Sequence, residues 1–122
     1  MAAMKKTRAI KEHWSAVAEL GCILTGQPAT IAHCHGGSIS DELGPKFRPG
    51  MAQRQNHWLV IPLSKELHQG RFGLDTSSVE LWEIRWRKQT QLLEEVSYKL
   101  GYCVFERAGV HGYRYTIVDQ PQ

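Results

Sequence analysis

The sequence predicts a single α+β domain of 122 residues. Helical periodicity occurs near both ends of the chain, whereas two short β-branched runs and most of the histidines lie in the middle. A hydrophobic fraction of 42% and four tryptophans are typical of a folded core rather than of a disordered chain. A chain of this length builds one core, so we expect one domain over residues 1–122.

The first predicted element is a helix over about Ala3 to Leu20. Apolar residues recur in it at three- and four-residue spacing, which places Ile10, Trp14 and Val17 on one face. Gly21 follows directly and is the residue type that commonly ends a helix. We therefore expect this helix to cover one side of the core with its apolar face.

The middle of the chain predicts a strand, a loop, a second strand and a short helix. The first strand spans Ala29 to His35, and a Gly- and Pro-rich loop follows over residues 36–55. The second strand spans Trp58 to Ile61 and is ended by Pro62. Lys65 to Gln69 form the short helix, because capping residue types stand on both sides of it.

The last third of the chain predicts a long helix and a terminal hairpin. The helix spans about residues 78–100, with Trp82 and Trp86 near the same face as the apolar residues that follow. Two β-type runs, Tyr102 to Arg107 and Tyr113 to Val118, flank a short turn sequence. They predict a β-hairpin over about residues 102–118.

The histidines are concentrated in the middle of the chain. Four of the six fall within one strand-loop-strand-helix segment: His33, His35, His57 and His68. Side chains alternate along a strand, so the first two share a face, and a hairpin brings Asn56 and His57 towards them. A single histidine is more often structural, and we interpret the isolated His13 and His111 in that way. Four in one unit favour a functional site.

Histidines in such a cluster suit metal-assisted cleavage of phosphodiesters. A neutral imidazole accepts a proton from water, and a pKa near 6.5 suits that task at neutral pH. A divalent metal ion polarises the phosphoryl oxygen and stabilises the leaving oxygen. An amide side chain can hold the basic imidazole in the useful tautomer. The cluster therefore predicts a hydrolytic site for phosphodiesters.

Charge and cysteine content restrict the setting in which the protein works. A net charge of +3 is compatible with a polyanionic partner but does not establish one. Three cysteines are an odd number and too few for a disulfide framework. Cys34 is interpreted as a small buried residue. Neither a secretory signal nor an apolar run of about 20 residues is found, so we expect a cytoplasmic protein without membrane contact.

Two motifs carry a resemblance to a known family. They are Ile31-Ala-His-Cys-His-Gly-Gly37 and Asn56-His-Trp-Leu-Val-Ile-Pro-Leu-Ser-Lys-Glu-Leu-His68. This pattern resembles the HNH (ββα-metal, or His-Me finger) endonucleases. Within that superfamily it is most similar to the phage recombination-enhancement (Ref-like, RecA-dependent) nucleases and to small prophage HNH proteins.

Shorter motifs extend the resemblance to the region from about Glu12 to Leu100. They are Gly21-Cys-Ile23, Pro28-Ala-Thr-Ile-Ala-His33, Gly50-Met-Ala-Gln-Arg54 and Trp82-Glu83. The resemblance implies a ββα-metal unit over about residues 29–70, packed against the N-terminal helix and the long C-terminal helix. The terminal hairpin lies outside it.

The resemblance also implies roles for individual residues. His33 corresponds to the general base, and Asn56 to the polar residue that orients this base or closes the loop. His68 corresponds to a metal ligand, with His57 and His35 as further candidate ligands. One divalent ion is expected, Mg²⁺ or Mn²⁺, or alternatively Zn²⁺ or Ni²⁺. The candidates for contacts with DNA phosphates are Lys46, Arg48 and Arg54.

The sequence departs from the family pattern at two places. Ala32 stands where the family often has Asp or His as the first metal ligand, and His35 or His57 would have to replace that ligand. Many members also hold a structural zinc with two Cys-x-x-Cys pairs. Here Cys22 occupies the first position of the first motif, but Thr25 stands at its second cysteine position. Ser64 and Leu67 stand at the two cysteine positions of the second motif, so we expect no structural zinc.

Three functions remain open from the sequence. The leading hypothesis is a phage- or prophage-type metal-dependent DNA endonuclease or nickase in the cytoplasm of a bacterial host, for which the resemblance implies DNA and a RecA-type recombinase filament as partners. The first alternative is a non-catalytic DNA-binding domain, accessory to recombination, with a degenerate HNH site. The second is a histidine-rich metal-binding protein without a nucleic-acid role. The sequence does not indicate an oligomeric state.

Overall fold

The computed structural model describes residues 7–44 and 56–110. Its architecture is mixed α and β, as predicted, with helices around a small antiparallel sheet. The helices are α1 (Arg8–Glu19), α2 (Lys65–Gln69), α3 (Val79–Arg85), α4 (Gln89–Leu100) and α5 (Val104–Arg107). The strands are β1 (Thr30–His33) and β2 (Val60–Leu63). None of the described helices is long and apolar enough to cross a bilayer.

Helix α1 spans Arg8–Glu19, which lies within the helix predicted over about Ala3 to Leu20, and Thr7 precedes it in an extended conformation. Thr7 caps it, because its side-chain oxygen accepts a hydrogen bond from the amide of Ile10. Ile10 and Val17 are buried on its inner face, as the spacing predicted. Gly21 adopts a positive φ of 76° directly after the helix end, a conformation that glycine adopts without strain.

The two strands pair in antiparallel register, with Thr30 opposite Leu63 and His33 opposite Val60. The prediction that Pro62 ends the second strand is wrong, because Pro62 lies within β2 opposite Ile31. The amide of Cys34 donates to Leu59 O, one pair beyond the ladder. Hydrogen-bonded pairs alternate along an antiparallel ladder, so position 62 has no partner for an amide hydrogen and tolerates proline.

The sheet lies between helices. Helices α1 and α4 both pack against β2, which is buried along its whole length. Helix α2 begins after Ser64, whose side chain caps it, and spans the predicted residues Lys65–Gln69. The chain from β1 to β2 contains a short π-helical turn, Ile39–Leu43, within the predicted loop 36–55. Residues 45–55 of that loop lie outside the described range.

The long helix predicted over residues 78–100 is wrong, because the chain breaks between α3 and α4. Trp86 leaves the helical conformation with φ −111° and ψ −89°. Lys88 is extended before α4 and makes no side-chain cap. Glu83 and Ser38 supply that cap instead, by accepting hydrogen bonds from the amides of Gln89 and Thr90. The break therefore depends on a tertiary contact.

The predicted terminal hairpin over residues 102–118 is also wrong in its first strand. Residues Val104–Arg107 form helix α5, which packs against α4. The side chain of Cys103 accepts from the amide of Glu106, and the amide of Val104 donates to Ser97 Oγ. These two contacts start a helical turn where the β-type residues predicted a strand. The second predicted strand, Tyr113 to Val118, lies outside the described residues.

Candidate functional site

Two of the predicted site histidines form a direct pair. His33, at the end of β1, places Nε2 at 2.9 Å from Nδ1 of His57. Two imidazoles at this distance share one hydrogen, so one ring donates and the other accepts. The pair therefore connects the end of β1 to the segment that leads into β2.

Helix α1 holds this pair in place through Trp14. The indole stands edge-on to His33 and to His57, with ring centroids 5.3 and 5.4 Å apart. Its Nε1 also donates to the main-chain oxygen of His57 at 2.8 Å. An aromatic ring with two edge contacts and a hydrogen bond restricts the orientation of both imidazoles.

The surroundings of His33 favour its neutral form. The pKa of His33 is lowered from 6.5 to about 4, chiefly by burial and next by the nearby His57. Asp75 acts in the opposite direction, and His68 and His35 add smaller lowering contributions. His33 is therefore unprotonated at neutral pH and able to accept a proton. The charges of His57, Asp75, His68 and His35 all affect the pKa of His33, so these side chains belong to one cluster.

The low pKa of His33 predicts a loss of stability in acid. The unfolded chain binds a proton at this residue below pH 6.5, whereas the folded protein does so only below about pH 4. The contribution of His33 to the free energy of unfolding is therefore fully present above pH 6.5 and is lost as the pH falls from 6.5 to about 4. We expect a loss of about 1–2 kcal/mol from this group, because His33 is only partly buried.

Urea unfolding at pH 7.0 and pH 4.5 measures this loss. Burial also lowers the pKa of His13, so the wild-type protein must be compared with His33→Asn. The decrease in the free energy of unfolding between the two pH values should be smaller in the variant. Equal decreases in both proteins would contradict the assignment.

A second cluster joins His35 and His68 through a carboxylate that the sequence reasoning missed. Asp75 Oδ1 lies 3.1 Å from His35 Nε2, and Asp75 Oδ2 lies 2.8 Å from His68 Nε2. The side chain of His68 is 9% exposed, that of His35 18% and that of Asp75 37%. We call this set the His35–Asp75–His68 relay, because one carboxylate links the two imidazoles.

The loop after α2 brings Asp75 back to the histidines. The amide of Leu74 donates to Leu67 O, and the amide of Asp75 donates to His68 O. Gly73 allows this return, because a Cβ there would lie 2.7 Å from the carbonyl carbon of His68. A glycine shortly before an acidic residue, soon after the helix with His68, was the signal in the sequence. The pairing itself depends on the shape of the loop.

Thr30 controls the hydrogen on the inner side of the His68 ring. Its hydroxyl lies 2.9 Å from Leu63 O and 2.8 Å from His68 Nδ1. A hydroxyl has one hydrogen, so when it donates to Leu63 O it accepts from Nδ1–H of His68. The ring of His68 is therefore held from two sides, by Thr30 at Nδ1 and by Asp75 at Nε2.

Asn56 lies in the turn that leads into β2. Its Nδ2 donates to Ala108 O at 3.0 Å, and its Oδ1 accepts from the amide of Trp58 at 3.0 Å. Both ends of the amide thus bind main-chain atoms. The two roles that the resemblance implied, orienting His33 or closing the loop, stay predictions.

His13 is structural, in agreement with its interpretation from the sequence. The ring is buried, with Nδ1 2.6 Å from the hydroxyl of Tyr102 and Nε2 3.1 Å from Trp58 O. It therefore links α1 to the segment before β2 and to the segment before α5. The predicted phosphate contacts Lys46, Arg48 and Arg54 lie outside the described residues.

The side chains of the described residues do not form a metal site as they are placed. Within residues 7–44 and 56–110, no group of three or more His, Cys, Asp or Glu side chains is arranged to hold a metal ion. The donor types of the relay nevertheless fit a divalent ion, since imidazole nitrogen and carboxylate oxygen are its usual ligands. Ligands about 2.1 Å from a metal at right angles are roughly 3.0 Å apart. The two contacts of Asp75 are close to this spacing.

Comparison of the chain with models of protein families, with curated proteins and with solved structures found no match. The resemblance to the HNH endonucleases therefore depends on the motifs alone and stays a prediction. The features that the motifs share with the fold are the order β1, β2, α2 and the location of His33 and His68 on its first and last elements.

Proposed function

We propose that this protein is a metal-dependent endonuclease or nickase of the HNH type that acts on DNA. The arrangement that carries the proposal is the His33–His57 pair, in which the pKa of His33 is lowered, together with the His35–Asp75–His68 relay. A general base and a set of metal-type ligands are the two parts that phosphodiester hydrolysis needs. The succession β1, β2, α2 supports a ββα-metal unit built around them.

In this proposal His33 accepts a proton from the water that attacks the scissile phosphorus. A base with a pKa of about 4 is weak at neutral pH. The approach of a negatively charged phosphodiester raises the pKa of a neighbouring imidazole, because the anion favours the protonated form. Substrate binding thus strengthens the base at the moment when it is needed.

His57 and Trp14 keep His33 in position for this step. The contact between His33 Nε2 and His57 Nδ1 occupies one nitrogen of the His33 ring. When His33 donates this hydrogen, its other nitrogen has the free lone pair and becomes the proton acceptor. His57 is therefore proposed as the partner of the base, rather than as the metal ligand that the sequence suggested.

Asp75 and His68 would hold the divalent ion, with His35 as the third ligand. When bound, the ion would polarise a phosphoryl oxygen and stabilise the leaving oxygen. The side chains now bond to one another, so binding would replace the hydrogen that each imidazole shares with the carboxylate. The proposed ions remain Mg²⁺ or Mn²⁺, with Zn²⁺ or Ni²⁺ as alternatives favoured by imidazole ligands.

The metal part of the proposal predicts that Asp75→Asn weakens Mn²⁺ binding by a factor on the order of 10 or more. The amide keeps the shape of the side chain but loses its negative charge. Isothermal titration with Mn²⁺ measures the effect, and Asp41→Asn on the exposed π-helical turn is the matched control. Equal affinities in the two variants would remove Asp75 from the site.

A plasmid nicking assay with Mg²⁺ or Mn²⁺ tests the nuclease proposal as a whole. Conversion of supercoiled to open-circular DNA, abolished by a chelator, is the expected result. DNA binding without cleavage would instead support the accessory domain with a degenerate site. The placement of Asn56 on main-chain atoms favours that second candidate, because the base then lacks the orienting amide. A RecA-type filament as a partner stays a prediction and is tested by adding one.

A further inference from the structure

Gln89 holds the main chain at His35 from a distant part of the sequence. It is fully buried at the start of α4. Its Oε1 accepts from the amide of His35 at 2.9 Å, and its Nε2 donates to the carbonyl oxygen of His35 at 2.9 Å. One side-chain amide thus satisfies both main-chain polar groups of His35, as a neighbouring strand would do.

Glu83 determines which way this amide points. Its Oε2 accepts from Gln89 Nε2 at 3.0 Å and from the amide of Gln89 at 2.9 Å. Rotation of the Gln89 amide by half a turn would place its oxygen against the carboxylate and its NH₂ against the amide of His35. Both contacts would be repulsive, so the carboxylate selects the orientation that binds His35.

The same carboxylate also holds the chain immediately after His35. The amide of Ser38 donates to Glu83 Oε1 at 3.0 Å, and its hydroxyl donates to Oε2 at 2.7 Å. Gly37 lies against the same group, since a Cβ there would be 2.6 Å from Glu83 Oε1. Glu83 therefore fixes His35 from both sides, through Gln89 and through Ser38.

The ring of His35 needs this support because it has few polar contacts of its own. Nε2 contacts Asp75, whereas Nδ1 is buried and has no hydrogen-bond partner among the described residues. A ring held by one polar contact takes its orientation from its main chain. The position of Nε2 relative to Asp75 therefore depends on the contacts of Gln89 and Glu83.

We propose that Glu83 and Gln89 are positioning residues, which act through the main chain of His35 to keep its Nε2 in contact with Asp75. Their effect on catalysis rests on the proposed function, whereas their effect on the geometry of the relay does not. They touch neither substrate nor metal in this proposal. The bend between α3 and α4 brings Gln89 back to Glu83, and the contact of Gln89 with His35 therefore depends on this bend.

Two glycine variants test this proposal with matched backbone strain. Gly37 and Gly26 both have positive φ, of 47° and 77°, so alanine is strained at either position. Gly26 has nothing within 4 Å of an added Cβ, whereas Gly37→Ala pushes directly on Glu83. The two variants therefore differ in the displacement of Glu83, accompanied by a smaller push on Val79 Cγ1, 3.0 Å from the added Cβ in the same helix.

The readout is the ¹⁵N–¹H spectrum of the imidazoles, recorded without added metal. We expect the cross-peaks of His35 and His68 to shift in Gly37→Ala and to stay in place in Gly26→Ala. In the nicking assay kcat should fall about 10- to 100-fold in Gly37→Ala, with the KM for DNA unchanged. Equal imidazole spectra for the two variants would overturn the proposal, and so would a change in KM without a change in kcat.

Glu83→Gln keeps the proposal testable if Gly37→Ala does not fold. The glutamine side chain has nearly the same shape as glutamate but cannot accept all four hydrogen bonds made to Glu83. Glu80→Gln, on the exposed face of α3, is the control. The same shifts of His35 and His68 are expected, and unchanged spectra would refute the positioning role. If the wild-type protein does not cut DNA, the spectra still decide this proposal, so the two failures are distinguishable.

Discussion

Replacement of His33 by alanine should lower the rate of DNA cleavage by about 10²–10⁴-fold, the range that a general base contributes. The variant loses the imidazole that accepts the proton of the attacking water. It also loses the 2.9 Å contact between His33 Nε2 and His57 Nδ1. The rate constant for plasmid nicking under saturating Mg²⁺ measures the effect.

The control for this experiment is Gln91→Ala on the exposed side of α4, for which no change in nicking is expected. Circular dichroism should show that His33→Ala remains folded, because the ring is only partly buried. Loss of cleavage together with loss of fold would say nothing about chemistry, so His33→Gln serves as a second variant. If folded His33→Gln cuts as fast as the wild-type protein, His33 is not the base.

Local sequence signals predicted the elements near the site well. Ser64 caps α2, Gly21 follows α1, and β-branched residues lie in β1, although β1 ends at His33 rather than at the predicted His35. These features depend on residues within a few positions of each other, so a single sequence reveals them. The pairing of His33 with His57 required only that the two strands form a hairpin.

Two elements further along the chain were not predicted, and the first of them depended on a contact between residues distant in the sequence. The helix over residues 78–100 breaks because Glu83 and Ser38 cap α4 from outside. Residues 104–107 form a helix because Ser97 and Cys103 accept hydrogen bonds from the amides of Val104 and Glu106. These partners lie only seven and three residues away. The signal was therefore local, but the β-type residues of this segment were interpreted as a strand.

The relay shows the same limit at the level of the site. His35 and His68 were predicted from their spacing, whereas the carboxylate between them was not. The fold selects Asp75, because the loop after α2 turns back at Gly73 and bonds to the main chain of His68. Acidic residues occur at many positions of this chain, so composition alone could not distinguish Asp75 from the others.

The break between α3 and α4 predicts very different roles for two tryptophans that the sequence placed on one helical face. Trp82 is 2% exposed, whereas Trp86 is 37% exposed. We expect Trp82→Ala to lower the free energy of unfolding by about 3–5 kcal/mol, because a large buried ring leaves a cavity. Trp86→Ala should cost less than about 1 kcal/mol, as surface substitutions usually do.

Urea unfolding followed by circular dichroism measures both values, and the two variants control for each other because the residue type is the same. The loss at Trp82 comes from packing more than from its hydrogen bond. Its Nε1 donates to Leu67 O, but that oxygen also accepts from the amide of Leu74 and stays satisfied in the variant.

A loss of 3–5 kcal/mol is a large share of the roughly 5–15 kcal/mol that stabilises a typical domain. Trp82→Phe, which keeps most of the packing, therefore replaces the alanine variant if the latter does not fold. Its expected cost lies between those of Trp82→Ala and Trp86→Ala. Equal costs at positions 82 and 86 would mean that both rings face the core, as they would on an unbroken helix. The break between α3 and α4 would then be contradicted, and with it the contact of Gln89 with His35 that depends on the break.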